Sequence, residues 1–337
     1  MNSLIDLFRN HQYTKTDIVN ALLLQEGQFK EFFELSETVC EEHFGKGVYI
    51  RGIIEYSNKC RKNCCYCGIR RDNPNVSRYV MKPEEIIGTA GKLLKQNIKT
   101  VVLQGGEDTS SDDMLLDVIK ELKTKHDMAV TISIGERPFD IYEKFKSAGA
   151  DRFLLRIETT DPVLFKALHP DDDLEYRKKC LYAIKEMGFQ AGTGIMVGLP
   201  GQSVESIADD LLFFREYKPA MVGIGPFLPH KDTPLAAEKP QELFLTLKTM
   251  ALIRIILGRV NLPATTAMGT LDKDGRKLAM MYGANVFMPN YTPEPYRGEY
   301  LLYDNKICVS EDCSNLCAAG IIKSAGKFVA EGRGDVF

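Results

Sequence analysis

From residue 48 onward one pattern recurs eight times: a short apolar, β-rich run, a loop, and then an amphipathic helical stretch. The pattern predicts strands over residues 48–56, 100–103, 129–134, 152–157, 190–197, 221–226, 261–265 and 285–288. Helices are predicted between them over 83–95, 111–126, 138–147, 174–187, 204–217, 241–257 and 274–282, the first opening on Pro83, a residue suited to an initial helical turn. Strands this apolar read as buried and parallel. Right-handed crossovers repeated eight times close such a sheet into a (βα)8 TIM-type barrel. Residues 14–43 read as two further helices, with Thr16 offered as an N-cap and Phe29, Phe32, Phe33 and Leu35 recurring near helical spacing. The expected organisation is an N-terminal helical extension over 1–46, a barrel over 47–300 and a cysteine-bearing tail over 301–337.

Composition removes several function classes. A net charge of -3 without a long basic run lacks the electrostatic footprint of a nucleic-acid binder. Residues 1–12 carry no apolar core after a basic stretch, and no window approaches 18 consecutive apolar residues, so neither export nor a membrane span is expected and the location reads as cytoplasmic. The nine cysteines are an odd number, and seven fall in two tight groups, which argues for metal ligation in a reducing compartment over disulfides.

Residues 58–70 read Asn-Lys-Cys-Arg-Lys-Asn-Cys-Cys-Tyr-Cys-Gly-Ile-Arg, placing Cys60, Cys64 and Cys67 at C-x3-C-x2-C spacing directly after the first strand. Three thiolates on one loop can hold an iron–sulfur cluster, and a four-iron cubane held by three leaves one iron open to a chelating small molecule. The loop falls at the C-terminal mouth, where β/α barrels carry their chemistry. Competing readings are a structural zinc site, for which His43 is the nearest histidine in sequence, a disulfide, or cysteines that are simply buried. Cys65 breaks the spacing and reads as packing.

The spacing, with aromatic Tyr66 before the last cysteine, resembles the signature of the radical S-adenosylmethionine (SAM) superfamily. The resemblance implies a 4Fe-4S cluster on Cys60, Cys64 and Cys67, SAM on its open iron, and reductive cleavage to a 5′-deoxyadenosyl radical. It also implies SAM contacts from Tyr66, from Gln104, Gly105, Gly106 and Glu107 after the second strand, and from Ser133 after the third. Glu158 and Arg177 would reach the ribose or carboxylate of SAM, and Met196 and Met221 lie in segments similar to the adenine contacts. Read without the family, Gly105-Gly106 is as well explained by a tight turn, and Arg156 with Glu158 by an ion pair filling the barrel.

Residues 50–58, 67–73, 222–227, 263–269 and 285–290 resemble one branch, the HydE family of FeFe-hydrogenase maturases. That similarity implies an anaerobic enzyme acting on an iron–carbonyl–cyanide–cysteine complex from a partner maturase, fed by an electron donor such as ferredoxin or flavodoxin. Arg51, Arg156, Thr265, Thr266 and Met288 are then the candidates for the substrate chamber. Cys308, Cys313 and Cys317 lie where some of these maturases hold an auxiliary cluster, but at C-x4-C-x3-C spacing; a 2Fe-2S cluster, a second 4Fe-4S cluster and an empty site all stay open. The alternatives are a mutase or sulfur-inserting enzyme similar to methylornithine synthase or biotin synthase, and a non-catalytic iron–sulfur carrier.

Overall fold

The computed structural model describes residues 3–240, 242–307 and 314–336, with side chains from Ala318 onward in the last segment. The first stave of the barrel is one extended segment interrupted at Arg51, giving β1 (Gly47–Ile50) and β2 (Gly52–Ser57). The staves that follow are β3 (Thr100–Gly105), β4 (Ala129–Ser133), β5 (Arg152–Leu154), β6 (Gln190–Val197), β7 (Met221–Pro226), β8 (Pro263–Ala264) and β9 (Val286–Phe287). Every pairing among them is parallel, running β2-β3-β4-β5-β6-β7 and β1-β9-β8. Two single bridges close the ring: Met221 to Asn261 ahead of β8, and Ile53 to Asn290 after β9. The expected eight-stave barrel is therefore present, with a further strand, β10 (Phe328–Ala330), added to the outer edge of β1.

Local chemistry accounts for the elements. The helix Pro83–Lys95 starts on Pro83, the Glu85 carboxylate accepts the Lys82 amide at 2.8 Å, and Ile86, Ala90 and Leu93 share its buried side. The helix Val204–Tyr217 is capped by Ser203 and stops where Lys218 turns left-handed. All eight residues of β6 are buried, as a stave covered on both faces requires.

Ahead of the barrel stand three helices, Leu4–Arg9, Lys15–Leu23 and Lys30–Phe44, one more than the hydrophobic pattern announces. Phe29, Phe32 and Phe33 pack there with Phe8, Phe244 and Tyr282 against the long helix Leu243–Leu257. The tail is more structured than its sequence suggests: after residues 300–306 cross the barrel mouth come a helix, Ser314–Ser324, and β10 at the opposite end. No described helix is long and apolar enough to cross a membrane.

Candidate active site

Backbone bonds and buried ions fix the cysteine loop. The Arg78 guanidinium donates to the carbonyls of Asn58, Ile69 and Arg70, the Arg61 amide bonds the Glu107 carbonyl at 2.8 Å, and the Cys65 amide bonds Leu168 at 2.9 Å. Gly106 makes this packing feasible, since a Cβ there would fall 2.2 Å from the Lys59 carbonyl oxygen and 2.9 Å from Cys60 Cβ. Cys60, Cys64 and Cys67 carry free thiols and line one cavity of about 360 Å³, whereas the Cys65 sulfur lies against the Ala167 carbonyl. Burial pushes the Cys60 thiol up, Cys64 well up and Cys67 up to about 12, and the proximity of the three sulfurs reinforces the shift at Cys64. Three such thiols become thiolates together only around a cation, and the amides of Lys62 and Glu107 beside Cys60 are placed to stabilise that form. The donor set suits an iron–sulfur cluster.

Behind the loop lies a compact ionic network. Lys62 meets Asp172, Glu107 at 3.4 Å and Glu136 at 3.6 Å, and Arg177 bonds Glu136 at 2.7 Å and Asp172 at 2.8 Å. The Glu107 carboxylate also takes Arg61 at 2.9 Å and the Glu136 amide at 3.0 Å. Burial opposes ionisation of Asp172, but His169, 3.5 Å away, and the charges of Arg177 and Lys62 outweigh it and hold the carboxyl well below its ordinary value. Burial lowers the pKa of His169, whose ring sits 3.4 Å from the Tyr66 hydroxyl.

The zinc reading fails on this geometry. His43 packs beside Gly258, at the end of the helix that leads into β8 and so at the barrel's other end. Ligand atoms of Cys64, His169 and Asp172 do lie within 4.8 Å of one another. A divalent ion there would meet a carboxylate already neutralised by Lys62 and Arg177.

Below the cysteines the cavity runs down the barrel axis. Tyr66 and Met196 line an apolar slot of that cavity, backed by Leu199, Phe227 and by Leu164 and Leu168 of the helix Pro162–Leu168. Glu158 stands in a left-handed turn, φ 65°, and pairs with Arg156 at 3.1 Å. Lys306 bonds Glu55 and the Tyr300 carbonyl and, with Leu302 and Tyr303, roofs the cavity from the segment that crosses the mouth.

The radical SAM superfamily model matches residues 54–214, the part of the barrel that carries this loop and slot. The FeFe-hydrogenase maturase subunit HydE of Thermotoga maritima is 50% identical over 91% of this chain and 89% of its own length. This chain belongs to the HydE family. A 3-methylornithine synthase of Methanosarcina acetivorans is 26% identical over 83% of the chain and 80% of its own length. Two solved structures share the fold: methylornithine synthase PylB (TM-score 0.85, 24% identity, 98% of each chain) and the maturase HydG of Carboxydothermus hydrogenoformans (TM-score 0.80, 19% identity, 96% of this chain and 77% of that one). As a HydE-family protein the chain is a radical SAM enzyme of FeFe-hydrogenase maturation whose cofactors are a 4Fe-4S cluster and SAM.

Against this family frame the sequence-derived site residues sort by place. Gln104, Gly105, Gly106, Glu107, Ser133, Arg156, Glu158, Arg177, Met196, Thr265, Thr266 and Met288 all line the cavity with the three cysteines. Glu107 and Arg177 do so with their charges already spent on protein partners, so they brace the loop. β5 ends at Leu154, so Arg156 and Glu158 reach the cavity from an irregular segment and not from a regular strand. Met221 begins β7, four residues before Gly225, the partner of Met196, which puts it about 13 Å below the aromatic slot. There its sulfur accepts from Arg51 at 3.0 Å, and it lines the cavity at its floor. Arg51 lies at the same depth. Cys308 and Cys313 lie outside the described residues, as does the side chain of Cys317. Sequence reasoning passed over Lys62, Glu136, His169, Asp172, Thr131 and Lys306; only Lys62, inside the cysteine loop, and the acidic run after His169 carried any signal.

Proposed function

We propose that this chain cleaves SAM at the Cys60–Cys64–Cys67 loop and spends the radical on an anionic, sulfur-bearing iron–carbonyl–cyanide–cysteine complex held deeper in the barrel. The observation that carries the substrate class is a set of buried polar atoms without hydrogen-bond partners: Arg51 Nε, Thr131 Oγ1, Arg156 Nε, Thr265 Oγ1, Glu158 Oε2 and His169 Nδ1. All six residues line the same cavity. Each atom left unpaired costs about 1–3 kcal/mol, so the chamber is built for a polar ligand, and Arg51 and Arg156 supply guanidinium groups suited to negative charge. An amino-acid substrate of the mutase kind would need a free carboxylate for its ammonium. Glu55 is taken by Lys306 and Asn290, and the charge of Glu158 is balanced by Arg156 at 3.1 Å.

Bound at the loop, the cluster supplies one electron and SAM the adenosyl radical. The chain's own residues orient and shield: Tyr66 and Met196 flank a purine, the ionic network fixes the loop, and the segment from Tyr300 to Lys306 keeps water from the mouth. The reading includes a cytoplasmic setting, a ferredoxin or flavodoxin as donor, and the other maturases as suppliers and acceptors. An auxiliary cluster on the tail cysteines is not required for it.

Anaerobic reconstitution tests it. Wild-type protein should hold about four irons per chain for SAM cleavage, and Cys308→Ser should keep both the iron and the cleavage. Cys64→Ser should lose both; cleavage persisting in that variant would refute the loop assignment. Thr265→Val and Arg156→Met should still release 5′-deoxyadenosine yet activate hydrogenase at least tenfold less well.

A further inference from the structure

The far end of the cavity is closed by the chain's own C-terminal segment. After β10 the backbone turns under the barrel, and residues 333–335 sit among side chains from five staves. Arg51 Nη2 and Asn261 Nδ2 donate to the Gly334 carbonyl at 3.0 and 2.9 Å. Arg152 Nη2 and Thr100 Oγ1 donate to the Arg333 carbonyl at 2.8 and 3.1 Å, and the Asp335 carboxylate takes Arg152 and Gln190 at 2.5 Å each. Arg333 returns an ion pair to Asp151. Gly334 has φ 66° and lies flat on Tyr49, whose Cγ would be 2.8 Å from any Cβ there. This fit allows only glycine.

Two of these donors, Arg51 and Asn261, also line the cavity, so the Gly334 carbonyl lies directly beneath it. Arg51 is 2% exposed, and among the described residues its guanidinium meets no carboxylate: Nη2 is held by Gly334, Nη1 by Met221 sulfur, and Nε is left over. The strap thus fixes the plane of a cation whose Nε, its one nitrogen without a partner, belongs to the chamber. We propose that residues 332–336 form the floor of the substrate chamber and act as a positioning strap, holding Arg51 so that Nε meets the anionic substrate and closing the barrel to water from below. This rests on the reading of the chamber given above. The strap is held by hydrogen bonds and two carboxylates, Asp335 on Arg152 and Asp151 on Arg333, and not by an apolar core.

The test uses the reconstituted full-length enzyme beside two variants, Gly334→Ala, which pushes the strap off Tyr49, and a chain ending at Glu331. Iron content, melting temperature, 5′-deoxyadenosine release and hydrogenase activated per 5′-deoxyadenosine are measured for each, with Arg51→Lys alone and combined with the truncation. The expected result is unchanged iron and SAM cleavage with at least a tenfold fall in activation per cleavage, and no further fall when Arg51→Lys is added. Undiminished coupling in the truncated chain overturns the proposal. So does a parallel loss of iron, cleavage and melting temperature in both variants, which would make the strap a staple of the fold. If Arg51→Lys alone leaves coupling intact while the truncation abolishes it, the floor stands and the place of Arg51 in the chamber reading fails.

Discussion

Asp210 shows how a residue outside the cavity bears on it. It is fully buried on the helix Val204–Tyr217, and its Oδ1 accepts the Thr160 amide at 2.6 Å and the Thr160 hydroxyl at 2.7 Å, pinning the turn two residues beyond Glu158. Its Oδ2 has no hydrogen-bond partner. Burial pushes the carboxyl up from 3.8 to about 7; the bonds from Thr160 pull it down, and Asp209 and Asp161 push it up. The folded chain therefore keeps a proton that the unfolded chain releases between about pH 4 and 7. Stability is full below that window and falls as pH rises through it, by on the order of a few kcal/mol. Asp210→Asn removes the titration, so its melting temperature should gain on wild type from about pH 4 to about pH 7 and then level off. Parallel curves would show that Asp210 ionises normally. No sequence pattern marks such a residue. That Cys60, Cys64 and Cys67 share one cavity is legible because their spacing is local, whereas Lys62 and Asp172 are partners across 110 positions, and only the closed barrel reveals them.

Among the elements, the helix Pro162–Leu168 has most influence on the site for its length. Asp161 caps it, accepting the Val163 and Leu164 amides at 2.9 and 3.0 Å, and Leu164 and Leu168 pack behind the slot that Tyr66 and Met196 line. Asp161→Ala should cost about 1 kcal/mol of helix stability. A SAM titration of the reconstituted enzyme should show binding weakened several-fold with iron content unchanged; equal affinity would mean that the slot does not hold the nucleoside. Two turns are too short for periodicity to declare, so the sequence reading left this stretch as a connection, even though an Asp-Pro pair opens it. The longer helices 83–95 and 204–217 were legible to the residue because their caps and apolar faces agree. The last staves were foreseen too long. At β8 the Asn285 carboxamide takes the Leu262 amide at 2.9 Å, a side chain doing what the ladder would otherwise do, and regular pairing shrinks to two residues.

At the scale of the whole molecule, the cluster loop sits on top of a finished barrel. One continuous apolar core joins the N-terminal helices, the staves and the outer helices, with Phe8, Ile54, Val130, Leu181, Met250 and Phe287 all in it, and none of the three cluster cysteines belongs to it. The loop itself is held by Arg78 on carbonyls and by Lys62 and Arg177 on three carboxylates, bonds that need no iron. On the proposed function, metal bound at this loop would add to a structure already made, unlike small metal domains whose folding free energy is the metal's own. Chelating the iron under anaerobic conditions should therefore leave the far-ultraviolet circular dichroism unchanged. Faster amide exchange should be confined to residues 58–73 and to the mouth segment 300–306, which leans on the loop through the Gly68 amide and the Leu302 carbonyl. If exchange instead accelerated through β3, β4 and β6, the iron would be holding the barrel together, and the separation drawn between a self-sufficient scaffold and its chemistry would be wrong.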